Sequence, residues 1–543
     1  MKKTLSILLL LILPIFFYLG LIKYNDALGE YYLGRNCDPS YPYLVNALNL
    51  AQNQNYGVGH FDHPGTPVQE IGAAVILIIH TYNSNNTDIV TNVFNKPEYF
   101  LNKILKTFLL LISAAIFLLG LITYSKLKNI YAALFLQLSP FSFYSEDIYF
   151  QLTNVSVEPI LVFTALMLIS TIILYLNKPD SEKINLLFTL VFGILCGLGM
   201  ATKISFLPVM IIPFLLLMNI KYKGLFIILS IISFSAFVYP AFSTNTANDF
   251  TIWVRNLIAH SGKYGKGSED IIQTSVYFDN VKTIFSKNLI FSVTYISMII
   301  ILISQFFEKY KLAIRSNKYF ILLLGIFLAM TLQILMVAKH FSLYYMIPVY
   351  MFSILGLFVI YKIFVSFYPD MFKSNKKKYI FYSLICVIMI SYSIIHLSTI
   401  YKTRKLIGNG RNEARKIVST LEEDYGNYIV VSTYECSSKE FALYLGSFYG
   451  GSQHKRYMAI VKEKYPNNFY FNRWANNFYD EWDINFIKDR LIKSNKFVFQ
   501  GVTDEVTIKF MEYVKELTGK PNASYKKIMS NYDRDGLYEI TLE

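Results

Sequence analysis

Charge is what this chain has least of. Only 16% of its 543 residues are charged, whereas 54% are hydrophobic and 17% aromatic. A soluble domain carries about 25% charged residues, so an ordinary soluble enzyme is excluded. Cysteine is scarce as well. Four residues do not make a disulfide framework, and Cys37 and Cys436, although both are expected on the outer side, are read as unpaired. No internal repeat or low-complexity tract stands out. No Gly-x-Gly-x-x-Gly follows the first strand expected near the C-terminus, which removes the usual signature of a dinucleotide site. The basic, apolar N-terminal segment lacks a small-residue cleavage site before Lys23, so it reads as a retained signal anchor.

What the chain has instead is long apolar runs. A bilayer core of roughly 30 Å takes about 20 apolar residues in a helix, and such runs recur as far as Tyr401. About eleven spans are expected: 5–22, 100–124, 130–144, 157–176, 186–202, 204–218, 225–242, 289–307, 319–337, 343–364 and 379–400. The apolar stretch 65–80 opens with Gly-Thr-Pro and contains Glu70, and it reads as an interfacial helix. With Lys2 and Lys3 inside, every second loop is short and basic. These loops carry Lys126 and Lys128, Lys178 and Lys183, Lys221 and Lys223, then Lys309, Lys311, Arg315 and Lys318, and last Lys373 and Lys376 to Lys378. Much of the net charge of +14 therefore sets topology and meets anionic lipid, and nucleic acid is not an expected partner. The expectation is a multi-pass protein of the plasma or inner membrane with a cytoplasmic N-terminus. Loops 23–99, 145–156 and 243–288, the turn 338–342 and the C-terminal region then lie outside.

Two domains are expected: a transmembrane part over 1–403 and an extracytoplasmic α/β part over 404–543. In the latter, 405–424, 437–446, 484–493 and 505–517 read as helices, and 428–432, 469–472, 497–500 and 537–542 as strands. Such alternation suggests a small Rossmann-like or flavodoxin-like layer. It reads as a docking or acceptor-binding module and not as a second enzyme.

The unusual polar residues fall on the expected outer face. Asp38 precedes Pro39 at the head of a helical stretch, 39–54, where an N-cap role is the plain alternative to chemistry. Asp62 and His63 lie in the turn Asp62-His63-Pro64-Gly65. The second outer loop carries Glu146 and Asp147, and Glu158 opens the next span, where a carboxylate also suits the helix dipole. Carboxylates at a membrane boundary are costly and often functional. Among cations, Lys203 ends a span, Lys339 and His340 fill a tight turn before Tyr344 and Tyr345, and Arg255 lies in the loop 243–288 with Trp253, His260, Lys263, Tyr264 and Lys266. Snorkelling and aromatic anchoring account for many such residues. Outer lysines, however, run against the positive-inside bias and are candidates to hold phosphate.

Taken in order, these motifs resemble the GT-C glycosyltransferases that use polyprenyl-phosphate-linked sugars, including protein mannosyltransferases and aminoarabinose transferases. Asp38-Pro39-Ser40-Tyr41 stands where that family has an acidic motif followed by Tyr. His63-Pro64-Gly65 looks like its basic turn before an interfacial helix. Gly197-Leu198-Gly199-Met200-Ala201-Thr202-Lys203 is similar to its Gly-rich stretch ending in Thr-Lys, and Lys339-His340-Phe341-Ser342-Leu343-Tyr344-Tyr345-Met346-Ile347-Pro348 to its late basic-x-Tyr-x-x-Pro turn. The likeness covers roughly the first four hundred residues. Many members have Asp-Glu where this chain has Asp38-Pro39, and there is no Trp-Trp-Asp motif like that of oligosaccharyltransferase catalytic subunits.

The resemblance implies a GT-C-like fold and transfer of a sugar from a polyprenyl-phosphate donor to a hydroxyl of a lipid, glycan or protein acceptor. Asp38 would be the general base, with Lys203, Lys339, His340 and Arg255 around the donor phosphate. Glu146, Asp147 and Glu158 remain as candidates for a second acid or for ligands of a divalent metal. Tyr41, Asp62, His63 and Tyr345 would line the substrate. One base opposite a good leaving group implies inversion. Gly262, Gly265 and Gly267 would let the loop 243–288 close over the donor. The alternatives are a non-catalytic polysaccharide exporter or flippase component, and a glycan polymerase using a lipid-pyrophosphate donor. A transporter should carry mid-span charge and repeated halves, neither of which is evident.

Overall fold

The structure is a computed structural model. It describes the chain except residues 1, 35–36, 53–56, 84–87, 144, 180, 261–271, 308–318, 368–374 and 532–534, and except most side chains of 375–400. The expected roles of Lys263, Tyr264, Lys266 and the glycines at 262, 265 and 267 lie outside the described residues. So do those of the inner-loop cations at 309–318 and 373–378.

Contacts group the chain into two units. One comprises Met1–Ile22, Phe61–Glu70 and Leu105–Thr399. The other comprises Lys23–His60, Ile71–Ile104 and Ile400–Glu543.

The first unit is helical and its apolar surface faces outward. Seven helices of the chain are long and apolar enough to cross a membrane among the described residues, or eight if one bent pair counts as a span. In the N-terminal helix Lys2–Leu28, Leu5, Leu8, Ile12, Ile15 and Leu19 are all at least half exposed. Their spacing of three and four puts them on one stripe, and water would not tolerate such a stripe. A bilayer solvates it.

The differences from the expected eleven spans have local causes. Over 130–144 the structure has a helix of eight residues, Ile130–Gln137, followed by a 3-10 turn at Ser139–Phe141. Eight residues reach about 12 Å, far short of a bilayer. Gln137 ends that helix buried, and its amide donates to the carbonyls of Leu10 and Ile116 at 2.9 and 3.0 Å. Over 204–218, a 3-10 segment Ile204–Met210 runs into the short helix Ile211–Leu216. Pro208 and Pro213 lie within it, each removing a helical donor. The span at 289–307 is one arm of the bent pair, Thr274–Lys287 and Leu289–Ser304, which turns by 103°. At the corner Asn288 caps the second arm by accepting from Phe291 N at 3.0 Å. The span at 379–400 falls in the helix Asn375–Asp424, where its side chains are outside the described residues.

The Gly-rich stretch has a packing explanation. Helix Glu182–Thr202 lies against Ile220–Val238. A Cβ on Gly193 would come within 2.6 Å of Leu229 Cβ, and one on Gly197 within 2.5 Å of Ser233 Cβ. Small residues four apart let two membrane helices approach closely.

The second unit contains a six-stranded sheet. Its strands are β1 (Val430–Thr433), β2 (Asn468–Asn472), β3 (Asn477–Phe478), β4 (Lys496–Gly501), β5 (Ser524–Ser530) and β6 (Gly536–Thr541), in the order β3-β2-β1-β4-β6-β5. β1 pairs in parallel with both β2 and β4, while β3 and β6 add antiparallel flanks. Both faces of the centre are covered, as a parallel sheet requires. On one face Val431, Phe469, Phe471, Phe497 and Phe499 are buried with Ile487, Leu491, Phe510 and Val514 of two helices. On the other, Val430, Val498 and Leu537 pack with Leu421.

Strands β1, β2, β4 and β6 and the helices Lys439–Phe448, Ile484–Ser494 and Asp504–Thr518 fall where patterning suggests. β3, β5 and the helix His454–Lys464 do not announce themselves. β5 is a lysine-bearing, largely exposed edge strand without the apolar alternation that marks a half-buried one.

The helix Cys37–Ala51 belongs to this unit and is buried along most of its length. Asn46 and Asn49 tie it down through their side-chain amides, which donate to the carbonyls of Tyr449 and Gly450 at 2.8 and 2.7 Å. Gly446 permits the approach, since a Cβ there would lie 3.0 Å from the Tyr41 carbonyl oxygen.

Candidate functional site

In the helical unit, three stretches far apart in sequence meet around Lys203. Helix Glu182–Thr202 ends in an extended Lys203, whose amide still reaches Gly199 O at 2.9 Å. The turn after Asp62 is laced to that end. Gly65 N donates to the carbonyls of Ala201 and Thr202 at 3.1 and 3.2 Å, and Ile204 N donates to His63 O at 2.8 Å. Pro64 and Lys203 thereby form an antiparallel bridge. Gly65 has φ +76, which suits a residue without a Cβ.

The Lys203 side chain is almost fully buried. Its Nζ lies 2.6 Å from Glu158 Oε1, with both side chains no more than 3% exposed. The rings of Tyr345 and Tyr344 stand 4.3 and 4.8 Å from the same ammonium. Gln333 fixes the tyrosine turn by donating to Tyr345 O at 2.7 Å. The His63 ring meets Trp253 and Tyr345 edge-on at 5.7 and 6.1 Å. Lys203 is thus held as a buried ion pair, with the carboxylate on one side and two tyrosine rings beside it.

Of the three acids, only Glu158 reaches Lys203. Glu146 and Asp147 sit exposed in the first turn of the helix Glu146–Leu152, where partial desolvation and the neighbouring Asp147 push the Glu146 carboxyl up. Asp62 is half-buried in the turn.

Lys339 and His340 are occupied elsewhere in the unit. Lys339 Nζ donates to the carbonyls of Leu257 and Ile258 at 3.0 and 2.6 Å, and His340 Nε2 lies 2.8 Å from Leu257 O. These carbonyls end the helix Thr244–Ala259, where orphan acceptors favour a cation. Arg255 is exposed on that same helix.

In the other unit, Asp38 meets the end of strand β1. Its backbone is extended, at φ −107 and ψ 121. Its Oδ2 accepts a hydrogen bond of 2.5 Å from the Tyr434 hydroxyl. Tyr434 follows β1. Burial, and then the Asp38 charge, hold its phenol far above the ordinary range, so it remains a donor. Tyr41 is buried and donates to Glu98 Oε1 at 2.8 Å, while Glu98 Oε2 accepts from Tyr31 N at 2.8 Å. Tyr41 thus helps to lock the loop that carries Asp38.

Around Tyr434 stand residues that sequence reading passed over. Arg473, beyond β2, places its guanidinium 5.3 Å from the Tyr434 ring and 4.8 Å from Trp474. Its Nη1 pairs with Glu435 Oε2 at 3.0 Å. An Arg-Trp pair after an apolar strand was the available signal, but it gained meaning only once β1 and β2 were neighbours. Cys37 and Cys436 are both buried free thiols.

Among the described residues, no group of three or more histidines, cysteines or carboxylates is arranged to hold a metal ion. Comparison with family models, curated proteins and solved structures finds none that matches this chain.

Proposed function

We propose that this protein is a membrane glycosyltransferase of GT-C-like architecture. It moves a sugar from a polyprenyl-phosphate donor to an acceptor hydroxyl on the outer face of the membrane. The observation that carries this reading is the meeting of His63-Pro64-Gly65, Thr202-Lys203 and Tyr344-Tyr345 around one buried ammonium. The same three stretches carry the resemblance in sequence. The finer topology of this reading has the N-terminus inside and the C-terminal sheet outside.

The chemistry needs few groups. The bond from the anomeric carbon to the phosphate oxygen breaks, leaving a second negative charge on the lipid phosphate. Lys203 offsets that charge as a point cation, and Tyr344 and Tyr345 keep water away from it. The acceptor oxygen forms the new bond from the opposite face of the sugar, and its proton goes to a base, the role the resemblance gives to Asp38. No covalent enzyme intermediate is required, so the anomeric configuration inverts.

The test is transfer by purified protein in nanodiscs, offered a panel of radiolabelled polyprenyl-phosphate sugars together with extracted envelope acceptors. Wild type is expected to transfer one of them. Asp38→Asn is expected to lose transfer by about 10²–10⁴-fold while inserting and melting normally. Undiminished transfer by a folded Asp38→Asn protein would remove the base assignment. No transfer from any donor would remove the reading.

A further inference from the structure

The carboxyl ends of β1 and β2 carry more chemistry than a docking layer needs. In open α/β sheets, ligands settle beyond the carboxyl ends of the parallel strands. Here Thr433 pairs with Phe471, so the residues that leave β1 and β2 emerge side by side. They are Tyr434 and Glu435 from one strand and Arg473 and Trp474 from the other.

These four form a fixed platform. The Tyr434 and Trp474 rings lie 5.0 Å apart at 52°, with Arg473 against both. Asn472 Oδ1 accepts from Trp474 N and Ala475 N at 3.1 and 3.2 Å, which holds the turn in place. Glu435 sits at φ +76, a costly backbone conformation for a glutamate. Yet Trp474 is 63% exposed. A large aromatic face held rigidly toward solvent, rimmed by a guanidinium, a carboxylate and a phenol, is the composition of a binding surface.

The third parallel strand is closed off. At the carboxyl end of β4, the Gln500 amide donates to Ser437 O at 2.7 Å, and Asp535 Oδ2 accepts from Ser437 N at 2.9 Å. The exposed aromatic face is therefore on the β1–β2 side. Its chemistry disfavours an anion, because Glu435 and Asp38 both bring a carboxylate to the platform. A sugar ring fits better, because its C–H face stacks on an aromatic plane while its hydroxyls pair with planar Arg and carboxylate groups.

We propose that Trp474, Arg473, Glu435 and Tyr434 bind a neutral saccharide ring, which is the acceptor. Calling that saccharide the acceptor rests on the glycosyltransferase reading; the sugar site itself does not. The bond from Tyr434 to Asp38 gives the platform a direct link to the base of that reading.

The experiment uses the full-length protein in nanodiscs. Neutral-hexose, N-acetylhexosamine and uronic-acid trisaccharides are titrated and read by saturation-transfer NMR. At least one neutral trisaccharide is expected to bind saturably, with Trp474→Ala weakening it by about tenfold or more. Arg473→Lys, which keeps the charge and loses the planar fork, is expected to weaken it as well. In the transfer assay Trp474→Ala should raise the acceptor KM and leave kcat in place.

Equal binding by wild type and Trp474→Ala overturns the proposal, as does failure of every trisaccharide to saturate. Quenching of Trp474 by brominated lipid, in a Trp253→Phe/Trp482→Phe background, overturns it in favour of a membrane anchor. Binding without any sugar transfer keeps the site and removes the enzyme reading. Transfer with an unchanged acceptor KM in Trp474→Ala does the reverse.

Discussion

The two polar clusters of this protein are built on opposite terms. Lys203 and Glu158 form an ion pair that is almost entirely buried and enclosed by aromatic rings. Asp38 and Tyr434 share a hydrogen bond in a half-exposed setting, beside an exposed tryptophan. A buried ion pair is costly to make and more costly to break on one side, so its geometry is rigid and its mutation is a matter of stability. Under the proposed function the first cluster holds charge and the second takes up a proton.

The largest expected effect breaks the contrast at its catalytic end. Asp38→Asn should cost about 10²–10⁴-fold in transfer with a melting temperature close to that of wild type. A melting shift as large as that of the Lys203 variants would place Asp38 among the structural charges.

Next comes the buried pair. Lys203→Met or Glu158→Leu alone should destabilise the protein by about 3–5 kcal/mol, because each leaves a charge without its partner. The Lys203→Met/Glu158→Leu double variant should recover most of that stability and still fail to transfer. Denaturation of the purified proteins in matched detergent, read with the transfer assay, separates the two consequences.

A smaller effect sharpens the comparison within the sheet-bearing unit. Burial raises the Asp535 carboxyl to about 6. An acid whose pKa is raised on folding binds its proton more tightly when folded, so its contribution falls as pH rises from about 4 to 6 and is constant above that. Asp535→Asn should flatten this limb of the stability profile, by on the order of 1–3 kcal/mol. The measurement is melting of the full protein from pH 4 to 7, and an unchanged slope in the variant would refute it.

The smallest effect concerns Lys339. Its hydrogen bonds to Leu257 and Ile258 carbonyls cap a helix, so Lys339→Ala should cost about 1 kcal/mol. A loss of donor affinity beyond what Lys203→Arg produces would instead place Lys339 at the phosphate.

Much of this architecture was legible because apolar length and periodicity are local properties. The helices Glu158–Leu176, Glu182–Thr202 and Phe320–Lys339 follow from their residues alone. The short segments at 130–144 and 204–218 did not, because a hydropathy run does not register that Gln137 finds two backbone acceptors or that prolines divide a helix. The choice among Glu146, Asp147 and Glu158 was equally closed to sequence. All three have the same chemistry, and only packing decides which one reaches Lys203.

The sequence by itself determined a membrane-spanning, helix-rich chain ending in a small α/β sheet, since burial of apolar runs and their spacing admit little else. It also marked Asp38 and Lys203 as charges that needed a reason, and His63 as a weaker signal beside them. The tertiary structure alone decided their company: Lys203 with Glu158 and two tyrosines, and Asp38 with Tyr434 beside Arg473 and Trp474. Those pairings join residues separated by tens to hundreds of positions. Nothing in a local stretch of chain encodes a partner that is chosen by the packing of helices and the order of strands.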